Sequence, residues 1–144
     1  MTSRTQTAID SNPASSPENL AALAKCIDAC QRCLQACCNC ADACLHEEHP
    51  EHLRFCIRID LDCAEICTAV VKVLSRASRP HLETVRALLE TCRIACHSCS
   101  LECLEHAQMH EHCRICAAAC QNCEAACAAL LRQTPAGQDL SGIA

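Results

Sequence analysis

Between Cys26 and Cys44 the chain, reading "CIDACQRCLQACCNCADAC", places seven cysteines in nineteen residues. A thiolate can ligate a soft metal, exchange with a disulfide or attack as a nucleophile, and spacing helps to separate these chemistries. With Cys38 set aside, Cys26, Cys30, Cys33, Cys37, Cys40 and Cys44 follow at steps of 4, 3, 4, 3 and 4. The mean step is that of an α-helix, so the six sulfurs share one stripe roughly 27 Å long. Cys38 lies about 100° off that stripe and reads as an additional, more exposed thiol.

The ladder recurs along the chain. Cys56, Cys63 and Cys67 share a helical face with Asp60. Cys92, Cys96, Cys99 and Cys103 step by 4, 3 and 4; Cys113, Cys116, Cys120, Cys123 and Cys127 step by 3, 4, 3 and 4. The breaks between ladders are explicit. Residues 1–16 are rich in Ser, Thr, Asn and Pro and read as a disordered tail. Ser16-Pro17-Glu18 is a helix start, with a capping serine followed by proline in the first turn. That helix should run to about Leu45. "HEEHPEH" follows, with Pro50 opening a second helix that ends near Ser75. After "SRASRPH", Pro80 opens a third. Thr134-Pro135-Ala136-Gly137 ends the last, leaving 133–144 as a C-terminal tail.

No Pro or Gly occurs between Pro80 and Arg132, so the pattern taken literally gives one helix of about fifty residues. Half of its stripe would then lie uncovered. A turn near Ala107–His110 gives four helices of comparable length instead. The expected fold is all-α: an antiparallel up-and-down four-helix bundle over residues 17–132 with a cysteine-lined core.

Composition narrows the chemistry. The chain has 144 residues, enough for one domain with its own core, and 19 cysteines. The first twenty residues show no apolar signal region, twin arginine or cleavage-site pattern, and no run approaches a membrane span. A cytoplasmic location is expected, where thiols stay reduced and clustered cysteines bind metal or do redox work. The net charge is −5, Phe55 is the only aromatic side chain, and there is no basic stripe; nucleic-acid binding has no support. No single cysteine stands out as a low-pKa nucleophile, and no Ser/His/Asp set or Gly-rich phosphate loop appears, so an enzyme is not expected.

Eighteen thiols at central positions are a poor way to fill a core, since Leu, Ile and Val bury more surface and do not oxidise. Neighbouring rungs of one helix are not aimed to close a disulfide, and the compartment opposes it. Soft metal is left. Thiolates select Cu(I), zinc and iron–sulfur clusters. Structural zinc takes four ligands in separate tetrahedral groups. The CxxC pairs here, such as Cys30/Cys33 and Cys120/Cys123, merge into unbroken ladders. Several Zn²⁺ tetrathiolates in one buried tube would each leave a double negative charge, whereas one Cu⁺ per thiolate leaves none. The residues therefore favour many Cu(I) ions. A zinc or general soft-metal sink with a metallothionein-like role, and a thiol-redox or cluster protein, are the alternatives.

A bundle whose four helices carry CxxxC and CxxC ladders resembles the bacterial copper storage proteins, in the cytosolic branch that lacks an export signal. The resemblance covers about residues 17–132. It implies a homotetramer of bundles, each holding many Cu(I) ions mainly through Cys thiolates. The exported branch carries a twin-arginine signal and a Met-rich opening; this chain has neither, and only Met109 sits near the expected mouth. Ile59, Ile66 and Val73 on one side of the second ladder, and Ile57 and Leu61 on the other, offer surface for neighbouring helices or a second chain.

The two ends of such a bundle differ. One gathers Leu20, Leu23, Val70, Leu74, Val85, Leu88, Leu89, Leu130 and Leu131, a hydrocarbon plug. The other gathers His46, His49, His52, His106, His110, His112 and Met109. His106 and His110 continue the cysteine stripe and are candidate extra ligands, with Met109 and Asp60. His46, His49, His52 and His112 read as a solvated loop. Asp60 could ligate metal, hydrogen-bond a thiolate or reach the mouth.

Overall fold

Alanine, leucine, cysteine and straight-chain polar residues dominate the long segments between prolines, and these carry the long helices: one each after Pro17 and Pro50, and two after Pro80. The computed structural model describes residues 2–13, 20–76, 78 and 80–134. It contains α1 (Arg4–Asp10), α2 (Leu20–Leu45), a 3₁₀ turn (Pro50–Leu53), α3 (Arg54–Ser75), α4 (Leu82–His106) and α5 (Glu111–Gln133). Helices α2 to α5 form the expected antiparallel bundle, with α2 packed on α3 and α5, and α4 on α3 and α5. No strand occurs among the described residues, and no helix among them is long and apolar enough to cross a membrane.

The breaks follow local chemistry. His49, held before Pro50 at φ −126° and ψ 71°, is outside the helical region, as a residue preceding proline is pushed to be. Proline then sits in the first turn of the 3₁₀ segment. Pro80 does not open α4 but lies two residues before its first residue, Leu82: His81 is the N-cap, and its ring nitrogen accepts the Thr84 N–H. The turn between α4 and α5 falls at 107–110, where the His106 carbonyl accepts both the Met109 and His110 N–H groups. At the other end of the molecule the Arg86 guanidinium donates to the Leu131 and Thr134 carbonyls, satisfying orphan acceptors at the end of α5.

The expectation of a disordered segment over 1–16 is corrected in part. Residues 4–10 form α1, capped by Ser3 Oγ, which accepts the Gln6 N–H. This helix lies on α2: Ile9 joins the core, and the Thr5 hydroxyl donates to Asp28. Ala24, which points away from the cysteine stripe, is buried as well. The Ser16-Pro17-Glu18 helix start and the Pro135–Gly137 stop lie outside the described residues.

At the end where α2 and α4 begin and α3 and α5 finish, Val70, Leu74, Val85, Leu89 and Leu130 are buried, with Leu20, Leu23, Leu88 and Leu131 packed against them. This is the hydrocarbon plug. Beyond it the core is sulfur.

Candidate metal centre

The helical period places the ladders on the inner faces, and antiparallel pairing sets them opposite one another. Eighteen cysteines are buried, all as free thiols, and Cys38 alone is exposed. Starting at the plug, Cys26 Sγ lies 3.8 Å from Cys127 Sγ, and Cys30 Sγ lies 3.4 Å from Cys123 Sγ. Cys67 comes within 3.8 Å of Cys92 and 3.9 Å of Cys123. Mid-tube, Cys33 touches Cys63 and Cys96 at 3.9 Å and Cys120 at 3.6 Å. Cys37 then meets Cys116 at 3.7 Å and Cys120 at 3.8 Å. Toward the other end, Cys56 pairs with Cys103, and Cys40 with Cys113, each at 3.8 Å.

These contacts define quartets whose ligand atoms all lie within 4.8 Å of one another, among them Cys30/Cys67/Cys92/Cys123, Cys33/Cys63/Cys67/Cys96, Cys33/Cys37/Cys63/Cys120 and Cys37/Cys99/Cys116/Cys120. The quartets overlap: Cys33, Cys37, Cys63, Cys67 and Cys120 each belong to two of them. Such a column suits bridging sulfurs shared between ions and does not divide into isolated tetrahedral sites.

Loss of water on burial favours the protonated thiol throughout the metal-free column, while the hydrogen bonds between thiols split it, raising some and lowering others, Cys26 to about 5 through its bond to Cys127. The Cys44 thiol is pushed up to about 12, first by loss of water and then by the charge of Cys56. Cys30, Cys37 and Cys96 are pushed up by the hydrogen bonds they share with Cys123, Cys116 and Cys123 respectively, and by burial. A neutral thiol is a small hydrophobe, so the column can pack without metal.

Asp60 is fully buried, which rules out its reaching the mouth. Four thiols surround it: Cys99 at 3.2 Å, Cys103 and Cys116 at 3.4 Å on Oδ1, and Cys56 at 3.9 Å on Oδ2. Desolvation, then the charges of Cys116 and Cys56, raise its carboxyl to about 8. It is a hydrogen-bond partner of thiols set among the ladders.

The histidine end departs from the sequence-based ranking. His112, assigned to a solvated loop, is the imidazole that meets the sulfurs: its Nδ1 lies 3.4 Å from Cys40 Sγ and 3.6 Å from Cys113 Sγ. His106 Nε2 pairs instead with Glu102 at 3.1 Å, and His110 Nδ1 with Glu47 at 2.6 Å. The turn at 107–110 resets the helical phase, so continuity of the stripe across it is lost. The signal lay within α5 itself, where His112 precedes Cys116 by four residues and so shares its face. Met109 is 80 % exposed at the tip of that turn, and His46, His49 and His52 are exposed. Met109 is thus held away from the sulfur column.

The family model described as copper storage protein matches residues 19–132. The chain belongs to the copper storage protein family. Among solved structures it is similar to the copper storage protein Ccsp of Streptomyces lividans, loaded with 10 copper equivalents: 46% identity, TM-score 0.86, spanning 89% of this chain and 98% of that one. It is also similar to the Cu(I)-bound copper storage protein BsCsp3, from Bacillus subtilis, with 36% identity, TM-score 0.67, and 74% and 94% of the two chains covered. A further relative is the uncharacterized cysteine-rich protein YhjQ of Bacillus subtilis (strain 168), 40% identical over 102 residues, 71% of this chain and 89% of that one. Copper storage proteins thus share both the bundle and the span of sequence that carries the ladders here.

Proposed function

We propose that this protein stores and buffers Cu(I), taking many ions per chain on the thiolates of its core, in the cytoplasm and without catalysing a reaction. The observation that carries this is the overlap of the cysteine quartets. A sulfur that belongs to two sites can bridge two ions, and a column of bridged, low-coordinate Cu(I) needs no further counter-charge. Each ion bound replaces one thiol proton, Cu⁺ plus RSH giving Cu–SR and H⁺, so the neutral apo column becomes a neutral loaded one. The eighteen ligands are the buried cysteines, with Asp60 beside the Cys56/Cys103/Cys116 group and His112 at the mouth. The Streptomyces lividans relative described as cytosolic supports the location. Phe55, Leu61, Ile94 and Leu101 are exposed apolar side chains that suit assembly of bundles into the homotetramer the family resemblance implies.

The experiment is anaerobic titration of the reduced protein with Cu(I) and, separately, with Zn²⁺, scored as metal bound per chain. Cu(I) should plateau at roughly one ion per core thiolate, and zinc at a few. A Cu(I) plateau at four or five would sink the storage role and favour a small cluster or zinc site.

A further inference from the structure

We infer that Glu47, in the turn after α2, is the positioning residue of the copper mouth. It selects the histidine tautomer that faces the sulfurs, an inference that rests on the proposed Cu(I) storage. One carboxylate oxygen, Oε2, accepts from two imidazoles, His110 Nδ1 at 2.6 Å and His112 Nε2 at 2.9 Å. The two rings stack, with centroids 5.4 Å apart and planes 15° from parallel. All three side chains are largely withdrawn from solvent, at 30 %, 19 % and 17 % exposure for Glu47, His110 and His112.

The consequence lies at the far side of the His112 ring. A neutral imidazole has one N–H and one lone pair, and the hydrogen bond at one nitrogen decides what the other offers. Donation from Nε2 to Glu47 leaves Nδ1 bare. That bare nitrogen is the one 3.4 Å from Cys40 Sγ and 3.6 Å from Cys113 Sγ. Cys40 and Cys113, with Cys44 and Cys56, form a further quartet of the column, at its histidine end. The hydrogen bond from His112 in turn holds the Glu47 carboxyl below the usual carboxylate range, so the acceptor stays charged. A carboxylate–imidazole pair of this kind orients a ligand and raises its basicity. Glu47 comes from the α2–α3 connection and the histidines from the start of α5. The contact therefore also fixes two chain segments across the opening, and His112 receives Cu(I) at the outer rung before the ion moves to thiolates further in.

The test uses the full-length, reduced protein. Long-range ¹H–¹⁵N spectra of the metal-free form at neutral pH report which His112 nitrogen is protonated. Wild type should show Nε2–H alone, Glu47→Ala a mixture with Nδ1–H, and Glu47→Gln, which keeps an acceptor oxygen in place, a partial return. Glu48→Gln, at the exposed neighbouring residue, should match wild type. Uptake from a chelated Cu(I) donor should slow about tenfold in Glu47→Ala, the lower end of what loss of such a partner costs a metal site. Combined with His112→Ala, Glu47→Ala should add nothing. Retention of Nε2–H in Glu47→Ala, or an equal slowing on the His112→Ala background, would overturn the positioning role. The tautomer is read without metal, so a low Cu(I) plateau would strike at storage alone, and an unchanged tautomer at Glu47 alone.

Discussion

Asp60 should make the metal-free bundle less stable as pH rises toward neutrality, and Asp60→Asn should remove that dependence. A carboxyl whose ordinary value is 3.8 is raised to about 8 in the folded chain by burial among thiols. Between those values the native state holds a proton that the unfolded chain has released. Its contribution is complete below the ordinary carboxyl value and is lost as pH climbs through the folded one. At 1.36 kcal/mol per pH unit, raising pH from 5 to 7 should cost wild type about 2.7 kcal/mol from this group. That is a large share of the 5–15 kcal/mol typical of a domain. Asparagine has the same shape and no charge to bury. The quantity to measure is the difference between wild type and Asp60→Asn, in which contributions common to both chains cancel. Urea unfolding of the reduced apo protein, followed by circular dichroism at pH 5, 6 and 7, gives it directly. Relative to wild type, the variant should gain about 1.4 kcal/mol per pH unit, a midpoint change of roughly 1 M or more over the range. A difference that does not move with pH would refute the reasoning, as would one of opposite sign. The same residue should help hold an ion at its own level of the tube, because a cation beside the ionised carboxylate offsets the cost of burying it.

Three other outcomes follow from the geometry. The reduced apo protein should be helical and compact by circular dichroism and sizing, because neutral thiols and the Leu/Val plug suffice as a core; a random-coil spectrum would show that metal organises the bundle. Cys38, the one exposed thiol, should be alkylated first under native conditions, and Cys38→Ser should leave Cu(I) capacity unchanged, both readable by mass spectrometry. Leu89→Ala, at a fully buried plug position, should cost the apo protein about 2–5 kcal/mol in a denaturant titration, and a polar substitution at Leu130 should not speed Cu(I) uptake if ions arrive at the histidine end.

What was legible in the chain is what the helical period carries. A 4-3-4 spacing of cysteines states a face, and four such faces leave one arrangement that buries them all, so the bundle and the eighteen inward sulfurs could be read from spacing. Helix α1 could not, because its seven residues are mostly polar and its stability comes from docking Ile9 and Thr5 on α2, a contact between distant parts of the chain. His112 was misplaced for a related reason. Period counting holds only within a helix, and the turn at 107–110 shifts the phase between Cys103 and Cys113. Glu47 had no signal at all: it is one acidic residue of a polar connection until folding brings α5 across to it.

Depth along the tube is a different quantity from face, and antiparallel helices translate sequence order into it. A residue late in α2 or early in α3 must lie at the same end as one late in α4 or early in α5. That rule alone puts the hydrocarbon residues at one end and the histidines at the other. It also explains why Asp60 is deep. Six residues into α3, it is carried about 9 Å from that helix's start, to the level of Cys99 and Cys116. His112, one residue into α5, stays at the rim. On the proposed storage role, an ion taken up at His112 and Cys113 would reach the Asp60 level next, then the all-sulfur quartet of Cys33, Cys37, Cys63 and Cys120. Ligand softness rises along that path, from imidazole through a mixed carboxyl–thiol level to thiolate alone, and the Leu89 end offers no exit. Loading should thus run inward spontaneously, and release must draw ions back through the mouth.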